Sequence, residues 1–85
     1  MEKQNVFIVE DDVNIAKGLQ NQLNLRGFQA ETNPGGETEI EDVIMEIKKV
    51  DAEIVILDLI LPKLDGFEII KAIRSDDEMN DICEY

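Results

Sequence analysis

The sequence predicts an α/β fold, an open parallel sheet with helices on both faces. Two short, unbroken apolar runs carry most of this reading: Val6-Phe7-Ile8-Val9 and Ile54-Val55-Ile56-Leu57. A strand that is apolar at every position has no solvent face, the pattern of a parallel strand covered on both sides. Amphipathic helical segments alternate with the strands as β-α-β-α-β-α, the rhythm of right-handed crossover units. Both runs also end in acids, Glu10-Asp11-Asp12 and Asp58. These lie at the sheet edge where open α/β folds bind ligands.

Residues 6–9 form the first strand. Asp11 or Asp12 then caps a helix running to about Leu25, because a carboxylate there accepts from the open N–H groups of the first turn. The apolar stripe of this helix is Ile15, Ala16, Leu19 and Leu23, and Gly27 is placed to end it in the left-handed conformation. Residues 28–32 alternate apolar and polar, which suits an edge strand. Asn33-Pro34-Gly35-Gly36 reads as a turn. A second helix is predicted from about Glu37 to Val50, with Ile40, Val43, Ile44 and Ile47 at i, i+3, i+4, i+7. Glu37 and Glu39 fall at its positive end, Lys48 and Lys49 at its negative end.

The third strand covers about 53–58. Pro62 and Gly66 punctuate the following loop, and Asp65 is placed to cap a third helix from about Gly66 to Arg74. That helix has Phe67, Ile70 and Ile73 along one stripe. Phe7, Phe28 and Phe67 are all expected in the core. The tail from Ser75 is polar and acidic until Ile82. Its last five residues are too short and polar a segment to count as a strand.

Eighty-five residues limit the chain to one domain. A chain of this size buries only about 60–65% of its unfolded surface, so its stability is expected to be marginal. The 44% hydrophobic content argues for a packed core. Twenty acidic residues against eight basic ones leave a net charge of −12. That balance disfavours binding of nucleic acid or anionic membranes by this segment. With one cysteine there is no intrachain disulfide, and with no histidine the chain supplies no imidazole base or phosphohistidine. No signal-peptide pattern opens the sequence, and its apolar runs are far too short to span a bilayer.

Glu10, Asp11 and Asp58 converge at the ends of two strands. Three clustered carboxylates raise one another's proton affinity unless a cation joins them. Their hard oxygens suit Mg²⁺, and one of them is free to act as a nucleophile. Asp12 is assigned to helix capping instead, and Lys63 to solvent.

Val9-Glu10-Asp11-Asp12 and Leu57-Asp58-Leu59-Ile60-Leu61-Pro62-Lys63-Leu64-Asp65-Gly66-Phe67-Glu68, in this order and at this separation, resemble the receiver domain of two-component response regulators. The resemblance covers nearly the whole chain. It implies a flavodoxin-like (CheY-like) receiver fold with strand order 2-1-3, an incomplete doubly wound sheet. Residues 1–85 would be the N-terminal portion of the domain, with its fourth and fifth strands absent. It implies that Asp58 is the phosphoacceptor, Asp11 a direct Mg²⁺ ligand and Glu10 a ligand through water, with the main-chain carbonyl of Ile60 completing the set. Glu10 stands where the family more often has aspartate, one methylene longer at equal charge. The implied partner is a sensor histidine kinase and the implied location cytoplasmic. The chain would not be an enzyme beyond phosphotransfer onto its own Asp58.

The family also places a hydroxyl residue after the fourth strand and a lysine after the fifth against the phosphoryl group. No residue here matches either, so phosphorylation is expected to be inefficient. The alternative reading is a truncated receiver-like interaction fragment that binds a kinase or self-associates without switching. A Mg²⁺-dependent phosphatase of similar fold would need an acid two residues after the nucleophile, where this chain has Ile60. With no strand beyond the third, that strand's outer edge would be an open template, and a homodimer through it, or else a poorly soluble, partly molten monomer, is expected.

Overall fold

A computed structural model describes residues 4–33, 39–58, 61, 64–76 and 83–84. The chain runs β1 (Asn5–Val9), α1 (Val13–Leu25), β2 (Gln29–Asn33), α2 (Ile40–Lys49), β3 (Ile54–Leu57), α3 (Gly66–Ser75) and β4 (Cys83–Glu84). All pairings are parallel and the strand order is β2-β1-β3-β4. The expected 2-1-3 core is present, with β1 at its centre.

The unbroken apolar runs are explained by the pleat, which sends alternate side chains to opposite faces. Val6 and Ile8 of β1 pack with Ala30, Leu19, Leu23, Phe28, Ile54 and Ile56 on the α1 face. Phe7 and Val9 pack with Val43, Ile47, Val55, Leu57, Leu61, Ile69 and Ile73 on the face covered by α2 and α3. Neither face of β1 meets water, and all four of its apolar residues are buried. Ile54 and Ile56 of β3 are only half-buried on the α1 side.

Helix ends follow the local chemistry. Asp12 is the N-cap of α1, its Oδ1 accepting from the N–H groups of Asn14 at 2.9 Å and Ile15 at 3.2 Å. Asp65 caps α3 in the same way, accepting from the Phe67 N–H at 2.9 Å. At the C-terminus of α1, Gly27 has φ 94°; its N–H donates to Asn24 C=O, and the Phe28 N–H donates to Leu23 C=O at 3.0 Å. This pair of hydrogen bonds is the Schellman arrangement, and it needs a left-handed residue.

Helix α2 ends with the same pair of bonds, Asp51 N–H to Lys48 C=O and Ala52 N–H to Ile47 C=O, but the left-handed residue is Asp51 at φ 54°. A β-carbon there is strained, and its carboxylate sits at the negative end of the helix. Replacing Asp51 by glycine removes both penalties and increases unfolded-chain entropy. The expected net result is a gain of a few tenths to about 1 kcal/mol. Urea unfolding of Asp51→Gly checks it, and a midpoint below wild type counts against it.

Several expectations are corrected. Helix α2 begins at Ile40, with Glu39 as its N-cap; Glu37, its expected start, lies outside the described residues along with Pro34, Gly35 and Gly36. The buried stripe of α3 is Gly66, Ile69 and Ile73, and Ile70 is half-buried. Phe67 is 60% exposed and is not core. Ile15 of α1 is 50% exposed, so the stripe of that helix is Ala16, Leu19 and Leu23. Both residues sit one helical position off the buried line, and the periodicity admits either side.

The fourth strand is not absent. Cys83 and Glu84 pair with Ile54 and Val55. Strand pairing is made by backbone groups, so a polar tail can add to an edge that apolar composition alone would not predict. The premise of a wholly open β3 edge, on which the expected homodimer rested, therefore does not hold at Ile54 and Val55.

Candidate phosphoacceptor site

The carboxylates are carried to one point by the sheet's register. Val9 is level with Leu57 across the β1–β3 pair and with Asn33 across the β1–β2 pair. One residue further on, the Asp58 N–H donates to Val9 C=O at 3.0 Å, and the Glu10 N–H donates to Asn33 C=O at 3.2 Å. The ladder thus extends past the strands and fixes the backbones of Glu10 and Asp58 side by side. Asp11 follows directly, ahead of the Asp12 cap that starts α1. Carboxylate oxygens of Glu10, Asp11 and Asp58 lie within 4.8 Å of one another. Glu10 and Asp58 are half-buried and Asp11 is exposed.

Glu10 is the electrostatically strained member. Its carboxyl is pushed from the ordinary 4.5 up to about 7, first by its side-chain hydrogen bond with Asp58, then by desolvation and the charges of Asp58 and Asp11. The Glu10 carboxylate also accepts from the Asp11 N–H at 3.1 Å.

All three acids singled out in the sequence meet here, and Asp12 does serve as a cap. The main-chain carbonyl of Ile60, with Pro62 and Lys63, lies outside the described residues. Asn33 was missed as a site residue. It reads as the start of a turn, but it is the last residue of β2, 4% exposed, and its carbonyl holds the Glu10 backbone. An asparagine before Pro-Gly-Gly signals a turn on local grounds, and nothing local reveals its partner across the sheet.

Residues 6–83 match the response regulator receiver domain family. The chain belongs to that family. Among curated relatives, this receiver domain is 34% identical over 77 residues to a probable transcriptional regulator, ycf27, of Guillardia theta, covering 91% of this chain and 29% of that protein. It is 29% identical over 75 residues to the transcriptional regulatory protein AfsQ1 of Streptomyces coelicolor, covering 88% of this chain and 32% of that one. The chain therefore spans about a third or less of these relatives. In fold it is similar to the chemotaxis response regulator CheY4 of Vibrio cholerae, with a TM-score of 0.84 at 22% identity, over 98% of this chain and 66% of that one. Among the described residues, no helix is long and apolar enough to cross a membrane.

The receiver domain's acidic cluster has a definite pH signature. Below about pH 4.5 Glu10 is protonated whether the chain is folded or not. Between about 4.5 and about 7 the folded chain keeps a proton that the unfolded chain has released. Its contribution to stability is thus full below about 4.5 and is lost as pH rises through about 7. A divalent cation should reverse the trend, because it displaces that proton and binds better as pH rises. Melting temperatures in chelator and in Mg²⁺, for wild type and Glu10→Gln, check this. Identical pH slopes in the two proteins would discard it. Asp11→Ala should abolish the metal-induced stabilisation.

Proposed function

We propose that this receiver domain is the phosphoacceptor module of a two-component phosphorelay, taking a phosphoryl group from the phosphohistidine of a sensor histidine kinase onto Asp58. The observation that carries the reading is the convergence of Glu10, Asp11 and the half-buried Asp58 at the C-terminal ends of β1 and β3. An Asp58 carboxylate oxygen attacks phosphorus, the P–N bond to the donor imidazole breaks, and its electron pair stays on that ring. The product is an acyl phosphate on Asp58.

The donor set fits Mg²⁺: three carboxylates, all hard oxygens, spaced within 4.8 Å so that one small cation with its waters spans them. Glu10, Asp11 and Asp58 would hold it together with the Ile60 carbonyl, and it would supply positive charge to the phosphoryl oxygens. Asp11 is exposed, so this side of the cluster meets solvent. For Glu10 to join the donor set, its carboxyl, pushed up to about 7, would have to be deprotonated. Any DNA-directed output, as in transcriptional regulators such as AfsQ1, would belong to residues other than these, because this segment is strongly acidic.

Intact-mass spectrometry after incubation with acetyl phosphate tests the reading. One phosphoryl adduct is expected with Mg²⁺ and none in chelator, with peptide mapping placing it on Asp58. No adduct, or an adduct on another residue, overturns it.

A further inference from the structure

Strand β2 is the outermost strand of the sheet beside β1. In a parallel ladder only alternate residues bond to a given neighbour. The Gln29 N–H donates to Gln4 C=O at 2.8 Å and the Glu10 N–H donates to Asn33 C=O at 3.2 Å. Gln29, Glu31 and Asn33 therefore face β1, and Ala30 and Thr32 turn their peptide groups to the outer edge.

At Ala30 that edge is occupied. The Ala30 N–H donates to Asn24 Oδ1 at 3.1 Å, and the Ala30 C=O accepts from Gln20 Nε2 at 2.9 Å. Gln20 and Asn24 are one turn apart on α1, so both amides lie on the same side of the helix. Together they present one acceptor and one donor, the pair that one residue of a neighbouring strand would present. Ala30 itself is 4% exposed. Its hydrogen bonds are thus made by side chains of its own chain, and leaving them unmade in a buried setting would be costly.

We infer that Gln20 and Asn24 form a plug on the outer edge of β2, holding the positions through which a second copy of this chain would extend the sheet. An exposed strand edge is a template for pairing with another chain. With Ala30 plugged, Thr32 is the one other outward residue of β2, and a single residue does not register a strand. Opening the plug would allow two β2 edges to meet antiparallel about a two-fold axis, because a symmetric dimer must pair like surface with like. The plug is built on α1 and does not depend on the chemistry of Asp58.

Two measurements on the 85-residue chain test the inference. The first is amide hydrogen exchange at a concentration where the chain is monomeric. In Asn24→Leu, exchange at Ala30 should accelerate about tenfold, the upper range for one lost hydrogen bond. Glu31, bonded to β1, should be unchanged relative to wild type. Ala30 should also be unchanged in Asn21→Leu, the same substitution at an exposed position of the same helix.

The second is light scattering across protein concentration. Gln20→Met with Asn24→Leu should raise the dimer fraction above wild type. Adding Thr32→Pro, which removes an outward N–H and leaves the bonds to β1 intact, should return it to the wild-type value. Unaltered exchange at Ala30 overturns the inference, as does a double variant that associates no more than wild type, or a gain that survives Thr32→Pro. If the double variant fails to fold, exchange in Asn24→Leu decides alone.

Discussion

Asp58→Asn should abolish phosphoryl incorporation from acetyl phosphate while leaving the chain folded and, without metal at neutral pH, more stable than wild type. The first effect is a loss of function at one atom. An amide oxygen carries no formal charge, and the remaining carboxylates, Glu10 and Asp11, lack Asp58's place at the end of β3. The second effect follows from the cluster. Asp58 is the leading cause of the raised Glu10 pKa, by hydrogen bond and by charge. Removing its charge lets Glu10 ionise at lower pH and relieves repulsion among the acids. The same change weakens Mg²⁺ binding, so wild type should gain more melting temperature from Mg²⁺ than the variant does. Mass spectrometry and thermal melts with and without Mg²⁺ read all three. An Asp58→Asn chain that still takes up a phosphoryl group would place the acceptor elsewhere.

Phe7→Ala should cost about 3–5 kcal/mol, a large part of the roughly 4–13 kcal/mol expected for a chain of this length. Phe67→Ala should change stability by less than about 0.5 kcal/mol. Phe7 is 1% exposed in the central strand, packed among side chains from β3, α2 and α3, so its removal leaves a cavity in the core. Phe67 is 60% exposed on the first turn of α3, and its ring keeps most of its contact with water when folded. Urea unfolding of the two variants side by side checks the contrast. Comparable losses at both positions would mean that Phe67 is buried in solution.

The two phenylalanines mark the boundary between what was legible in the sequence and what was not. Residues 6–9 determined by themselves that the central strand would be covered on both faces, because no alternation left a side for water; residues 54–57 carry the same pattern, yet Ile54 and Ile56 are only half-buried. The acids that follow the two runs determined where a charged site would lie, since both strands must end at the same edge of a parallel sheet. Asp12 and Asp65 were readable as caps, and Ile40, Val43, Ile44 and Ile47 as one helix face, because these depend on neighbours within a turn or two.

Tertiary structure decided the rest. Helical spacing shows that residues share a face and does not show where cover by another element stops, so Ile15 and Phe67 fell just outside it. Pairing of Cys83 and Glu84 with β3 is made by peptide groups and leaves no trace in side-chain polarity. Asn33, read as a turn, holds the Glu10 backbone from across the sheet, and Gln20 and Asn24, polar positions on an amphipathic helix, close the edge of β2. The Glu10 proton is held first by the hydrogen bond with Asp58, then by desolvation and by the charges of Asp58 and Asp11, a set of groups that no single segment contains.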